Sequence, residues 1–336
     1  MDGLIVIDKP EGPTSHDVVA RLRRVLGERR IGHTGTLDPA ASGVLPLVVG
    51  RATRLARFLS ARDKSYEAVI RLGIATDTYD ARGDPSGAAH AGVWPSRDEI
   101  DRALDAFRGT FLQQPPAFSA KKIDGKRSYE LARATRSQLL STGAGAPPPA
   151  RTDADASPQT AQHGRGRSLP APVDVTARTI DIVSVDGHCV TLAIDCSAGF
   201  YVRSLAHDLG ERLGVGGHLT ALRRTRSGDF ALADALPLDL AERDRDAARA
   251  AVIPIERMLT SLSAVVLTDQ GTRHAASGRT LGPADLVEGA LSGHAPGSRQ
   301  ADARQRIRLL DGRGRLVGIA EPAAAPGLLH PSVVLV

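Results

Sequence analysis

Between Ile180 and Ile194 the chain has little choice of geometry. Two mainly apolar runs, Ile180–Val185 and Cys189–Ile194, flank Asp186-Gly187. An Asp-Gly pair accepts the positive φ angles of a tight hairpin turn, so the two runs read as antiparallel strands. An alternation marks another strand: Tyr66, Ala68, Ile70 and Leu72 are interleaved with Glu67, Val69 and Arg71. Gly3–Ile7 reads as a short strand, and the apolar run Val44–Val49 as a buried one. Elsewhere the period changes to that of a helix. Thr14-Ser15-His16-Asp17 has the form of a helix N-terminus, with a hydroxyl cap and an acid in the first turn. Val18, Val19, Leu22, Val25 and Leu26 continue it. Thr53–Arg62 places Leu55, Phe58 and Leu59 on one helical face, and Val202, Leu205, Leu209 and Leu213 mark a helix closed near Gly214. Helices and hairpins without regular βαβ alternation predict an α+β fold with a mixed, mainly antiparallel sheet.

A length of 336 residues suggests about two domains. The segment Ala134–Pro172 departs from its surroundings: 26 of its 39 residues are Ala, Gly, Pro, Ser or Thr, and none is aromatic. Such a stretch buries too little surface to offset its ordering entropy, and it is expected to be a disordered insertion over 135–170. It is not a domain boundary, because strands on both sides are expected in one sheet. Pro237–Thr260, rich in Ala, Arg and Asp, reads as a helical connector. Beyond it, Ala264–Leu267, Ile307–Leu310, Leu316–Ala320 and Val333–Val336 alternate with glycine turns and predict a small all-β module.

The formal charge is +5, and of 43 basic residues 38 are arginine. Arginine binds phosphate through two parallel hydrogen bonds. The basic residues gather at Arg21, Arg23, Arg24, Arg29 and Arg30, at Lys121, Lys122, Lys126 and Arg127, and at Arg223, Arg224 and Arg226. Any one cluster is an ordinary solvated face, whereas three favour a phosphate-tracking surface. Eleven aromatic residues are too few for a single-strand stacking platform. Two cysteines exclude a disulfide framework and a cysteine-rich zinc site. No dinucleotide fingerprint, no Walker loop and no metalloprotease histidine pair occurs, so neither a cofactor nor a metal is expected. The N-terminus lacks the form of a signal peptide and no segment could span a membrane as a helix, which gives a cytoplasmic expectation.

Chemistry is sought first in Gly32–Gly43. Three of the loop's residues, Gly32, Gly35 and Gly43, permit a tight backbone path, and Asp38 is its sole acid. Pro39 biases Asp38 toward an extended backbone. The bland alternative is that an aspartate in such a loop only forms a turn. The second candidate is Cys196–Leu205, where Tyr201 and Arg203 sit at a strand-to-helix turn; there the alternative is a capping aromatic of the core.

The run Gly32-His33-Thr34-Gly35-Thr36-Leu37-Asp38-Pro39 resembles the catalytic motif of the TruB family, the bacterial tRNA pseudouridine-55 synthases. Five further segments resemble that family in order. They are Asp8-Lys9-Pro10 with Gly12 and Thr14-Ser15-His16-Asp17; Asp63–Ala68; Thr76–Ala81 with Gly83; Pro115–Ala120 with Lys122, Gly125 and Lys126; and Tyr201-Val202-Arg203 through Leu222-Arg223-Arg224. The resemblance covers about residues 3–262, apart from the insertion. It implies a pseudouridine synthase catalytic domain over 1–262 and, more weakly, a PUA-like RNA-binding domain over 263–336.

The resemblance also implies roles. Asp38 is the catalytic carboxylate, acting at C1′, at the base, or as an aid to elimination. Arg203 is its ion-pair partner, and Tyr66 stacks on the target uracil. Tyr201 is a second ring near that base, His33 helps to open the RNA loop, and Leu222 packs near the base. The implied substrate is the T-arm of tRNA, modified at nucleotide 55 without a cofactor by a monomer that needs no protein partner. Two alternatives stand beside it: a noncatalytic RNA-binding or tRNA-folding module, and a synthase subunit dependent on guide RNA. The chain departs from the family at Ala198 and Phe200, where Lys and Thr are usual, and at Phe118, where Tyr is frequent.

Overall fold

The computed structural model describes residues 1–117, 122–123, 126–127, 170–287 and 306–336. The expected insertion lies outside the described residues except for Pro170, and Phe118 also lies outside them. Contacts divide the chain into two compact units, Met1–Lys64 with Arg223–Val336, and Ser65–Leu222.

In the first unit the strand Gly3–Lys9 pairs antiparallel with Ala41–Val49, in register from Gly3 opposite Val49 to Lys9 opposite Gly43. Short strands Leu236–Pro237 (parallel) and Ile253–Pro254 (antiparallel) flank Gly3–Lys9, and Ile31–His33 pairs with the far end of Ala41–Val49. Leu4, Ile5, Val6 and Ile7 are all buried. An unbroken apolar run of this kind belongs to a strand covered on both faces, and each such side chain contributes about 1.5–3 kcal/mol by leaving water. The helix Ser15–Leu26 begins with a capping box: the Thr14 side chain accepts the Asp17 N–H, and the Asp17 carboxylate accepts the Thr14 N–H. Those Thr14 hydrogen bonds hold the Asp17 carboxyl below the usual range.

The C-terminal segment of this unit forms a separate four-stranded sheet of Ser263–Val266, Ile307–Leu310, Leu316–Pro322 and Leu329–Val334, parallel at the first pair and antiparallel after it. One face packs Val265, Leu309, Val317 and Ala320 beneath the helix Asp269–Ala276. From the other side Leu316 and Ile319, with Leu335, join a cluster containing Leu4, Val6, Phe58 and Leu59. Three arginines spaced by three reach the last strand and its end: Arg51, Arg54 and Arg57 donate to the carbonyls of Leu335, Val334 and Ser332. The 3₁₀ turn over Gly50–Leu55 puts Arg51 and Arg54 on one side, because residues three apart then face the same way, and Arg57 follows in the short helix Ala56–Ser60.

The second unit places Gly109–Gln113, Val173–Asp186, Cys189–Cys196 and the strand Lys64–Leu72, whose first residue is counted with the first unit, side by side in that order. Val173 faces Gln113 and Ala177 faces Gly109, so the strands flanking the undescribed segment do pair. The predicted hairpin forms around Gly187, whose φ is 56°. Helices Arg97–Leu104 and Val202–Arg212 supply Ile100, Leu104, Leu205 and Leu209 to the core over this sheet.

Two expectations change. Pro237–Thr260 is not one helix but two, Leu238–Arg243 and Arg245–Ala250, followed by the Ile253–Pro254 strand. Asp244 makes the break, since its carboxylate caps the second helix by accepting the Asp246 and Ala247 N–H groups. The C-terminal module is not all-β, because it contains the helix Asp269–Ala276, capped by Thr268.

Candidate active site

Asp38 lies in the first unit, half-buried, in the loop between the strands Ile31–His33 and Ala41–Val49. The Ala41 N–H donates to the Asp38 carbonyl at 3.0 Å, closing a turn with Pro39 second. Asp38 therefore opens a turn, and the turn fixes where its carboxylate starts. The backbone around it is held from elsewhere. Ser15 Oγ donates to the Leu37 carbonyl at 3.0 Å and accepts the Leu37 N–H at 2.8 Å. The Gly12 N–H donates to the Pro39 carbonyl at 2.8 Å. Gly12 has a φ of 108°, which glycine adopts without strain. Lys9, fully buried, shapes that turn by donating from Nζ to the carbonyls of Pro10 and Pro13.

Arg224 secures the other side of the loop. Its Nη2 donates to Gly35 at 3.2 Å, its Nη1 to Thr36 at 3.5 Å and its Nε to Val44 at 2.7 Å, all at backbone carbonyls. The side chain is 1% exposed, and all its partners among the described residues are carbonyls. Gly43, at φ 102°, permits this approach, since a Cβ there would strike the Arg224 backbone. His33 stands edge-on to His16 with ring centroids 5.1 Å apart. Arg223 pairs with Asp8 at 2.7 Å.

The remaining candidates lie in the second unit. Tyr66 and Leu222 are half-buried and pack against the same apolar cluster. Ser65 donates its hydroxyl to the Asp195 carboxylate beside Tyr66. Tyr201 precedes the helix Val202–Arg212, and Gln113 clips its backbone: the Tyr201 N–H donates to Oε1 at 2.8 Å, and Nε2 donates to the Tyr201 carbonyl at 3.0 Å. Arg203, 8% exposed, donates to the Thr78 carbonyl at 3.2 Å and lies 3.9 Å from the Asp80 carboxylate. The loop holding those partners is tied by its own side chains. Asp80 Oδ1 accepts from Thr78 Oγ1 and from the Arg82 N–H, and Asp77 accepts the Asp84 N–H. Tyr79 takes the left-handed conformation, φ 65°, with its ring stacked on His207 at 3.9 Å.

Sequence reasoning assigned no role to Ser15, Asp80 or Gln113; the first two stand inside the quoted motifs, and Gln113 carries no signal at all. Arg224 stands in one of the basic clusters expected to track phosphate, but its buried side chain is spent on the carbonyls of Gly35, Thr36 and Val44. The departure at Phe200 has a structural account: the ring is buried in the core, edge-on to Phe111 at 6.1 Å. Burial beside Glu211 pushes the Asp208 carboxyl up to about 6 on the helix that carries Arg203, with desolvation the larger cause. Among the described residues no group of side chains is arranged to hold a metal ion.

Residues 23–141 match the family model described as TruB family pseudouridylate synthase (N terminal domain), and residues 203–260 match that of the tRNA pseudouridylate synthase B C-terminal domain. The tRNA pseudouridine synthase B of Solibacter usitatus is 39% identical over 339 aligned positions, covering 100% of both chains. That of Mycobacterium sp. (strain KMS) is 43% identical over 302, covering 88% of this chain and 89% of the other. That of Gloeobacter violaceus is 44% identical over 278, covering 80% and 82%. Among solved structures, the archaeal box H/ACA sRNP Nop10-Cbf5 complex contains a chain of similar fold, with a TM-score of 0.66 at 24% identity over 99% of this chain and 86% of that one. At such identity the likeness is one of fold.

Proposed function

The chain belongs to the TruB family of pseudouridylate synthases, and from that premise we infer that it is an isomerase converting uridine to pseudouridine in tRNA. The observation that carries the reading is the 39% identity to a tRNA pseudouridine synthase B along the whole of both chains. The finer proposal places the target at nucleotide 55 in the T-loop, with the T-arm bound by a monomer acting in the cytoplasm without a protein partner. The guide-dependent alternative draws only on a likeness of fold at 24% identity.

The reaction breaks the N1–C1′ bond, turns the uracil and forms a C5–C1′ bond. The C5 hydrogen leaves to solvent and N1 gains a proton, so no redox partner or triphosphate is consumed. Asp38 is proposed as the catalytic carboxylate and Arg203 as the cation that keeps it ionised; a partly dry site would otherwise favour the neutral acid. Extracting a stacked base costs a few kcal/mol, which stacking on Tyr66 offsets in part. Tyr201 and Leu222 border the base, and His33 contacts the opened RNA loop. Residues 1–262 form the proposed catalytic domain, and 263–336 a PUA-like domain adding phosphate contacts.

The test uses the single protein and a bare tRNA transcript carrying C5-tritiated uridine. Tritium release with pseudouridine mapped to nucleotide 55 is expected. Binding without release would leave the noncatalytic module, and release only with an added guide RNA would leave the guide-dependent subunit.

A further inference from the structure

The stretch from Gly12 to Ser15 takes no part in the chemistry above, yet it holds the segment that carries Asp38. A hydroxyl has one proton to give and lone pairs to receive. Ser15 spends both capacities on one residue, the Leu37 that precedes Asp38. Gly12 holds Pro39, the residue that follows. Both chain neighbours of Asp38 are therefore tied to four consecutive residues. The anchor is firm, since Ser15 is the first residue of a helix fixed by the Thr14–Asp17 capping box and is 1% exposed. The helix has no need of this hydroxyl, because Thr14 supplies the cap. Leu37 is buried as well, so the clamped residue is pinned on its side-chain face.

We propose that Ser15 is a positioning residue for Asp38: its hydroxyl, bonded to the N–H and C=O of Leu37, sets the direction in which the next residue's carboxylate leaves the backbone. This rests on the reading of Asp38 as the catalytic carboxylate. Reacting groups displaced by about 1 Å lose about a hundredfold in rate.

The full chain is tested as Ser15→Ala and Ser15→Thr. Three quantities are measured: the single-turnover rate at saturating tRNA, the tRNA dissociation constant and the melting temperature. Ser15→Ala is expected to slow the chemical step about tenfold to a hundredfold while affinity stays within about twofold. Ser15→Thr keeps the hydroxyl and is expected to recover most of the rate. The proposal is overturned by a wild-type rate in Ser15→Ala, by a defect confined to affinity, or by failure of Ser15→Ala to fold. It is overturned equally if Ser15→Thr is as slow as Ser15→Ala, because space and not the hydroxyl would then decide. An inactive wild type sinks the assigned reaction instead, whereas an active wild type, a dead Asp38→Asn and an unimpaired Ser15→Ala sink this proposal alone.

Discussion

In the first unit one hydroxyl, Ser15 Oγ, serves both backbone groups of Leu37 across 22 residues of sequence; in the second, the Gln113 amide serves both backbone groups of Tyr201 across 88. Both clips are 1% exposed, and both hold a backbone rather than a side chain. They differ in what they can enforce. The amide has a separate donor and acceptor, so pairing with one N–H and one C=O fixes its orientation. The hydroxyl uses a single atom for both, and its precision comes from the capped helix on which it sits. The Thr76–Asp84 loop combines two plans: Asp77, Thr78 and Asp80 bond within their own segment, while the Leu219 backbone donates to the Tyr79 carbonyl and accepts the Ala81 N–H. The bonds inside the segment can be designed locally, whereas a clip depends on a partner folded elsewhere.

The sharpest way to break this comparison is to remove the group the first clip is proposed to aim. Asp38→Asn keeps the shape and the clamp but not the charge. Isomerisation is expected to fall by more than about a thousandfold with tRNA binding nearly intact. Product formation at even a few per cent of the wild-type rate would rule out Asp38 as the essential carboxylate. Arg203 comes next. Arg203→Met should lower the single-turnover rate far more than tRNA affinity, and Arg203→Lys should restore it only in part, because a point charge cannot reproduce a planar fork. If Arg203 only grips phosphate, affinity and its salt dependence change instead while the rate at saturation holds.

Gln113→Leu tests the second clip. It keeps an apolar shape while stranding the Tyr201 N–H and C=O, and is expected to cost about 2 kcal/mol in denaturant unfolding. No loss of stability would mean that water replaces the amide and that the clip is not structural. The last test is at Asp208, where the effect depends on pH. Its carboxyl titrates at about 6 in the folded chain against 3.8 in the reference state. Between those values the folded form holds a proton that the unfolded form releases, so stability falls as pH rises through that window and levels off above it. Asp208→Asn removes the titration: its melting temperature should exceed the wild-type value at pH 8, and the gap should close toward pH 4. A gap independent of pH would assign the effect to packing.

Much of this was legible in the residues. Asp186-Gly187 announces its hairpin because the turn chemistry is local, and Thr14 with Asp17 announces its helix for the same reason. The Asp38 loop was visible through its glycines and Pro39. The clips were not, because a serine or glutamine aimed at a distant backbone carries no compositional mark. The helix Asp269–Ala276 escaped because its buried positions are Gly271 and Ala275, too small to show an apolar period. The break at Asp244 escaped because Ala and Arg around it favour helix strongly enough to mask a single cap.

The arginines at 51, 54 and 57 have a consequence for how the C-terminal edge can vary over time. Each grips a main-chain carbonyl of Ser332, Val334 or Leu335, a group that every amino acid supplies. Replacing Ser332 or Val334 leaves those anchor points chemically unchanged. Substitutions there are thus buffered, while each of the three arginines is a single point of failure. Mutational drift should accumulate at the held edge before it reaches the residues that hold it.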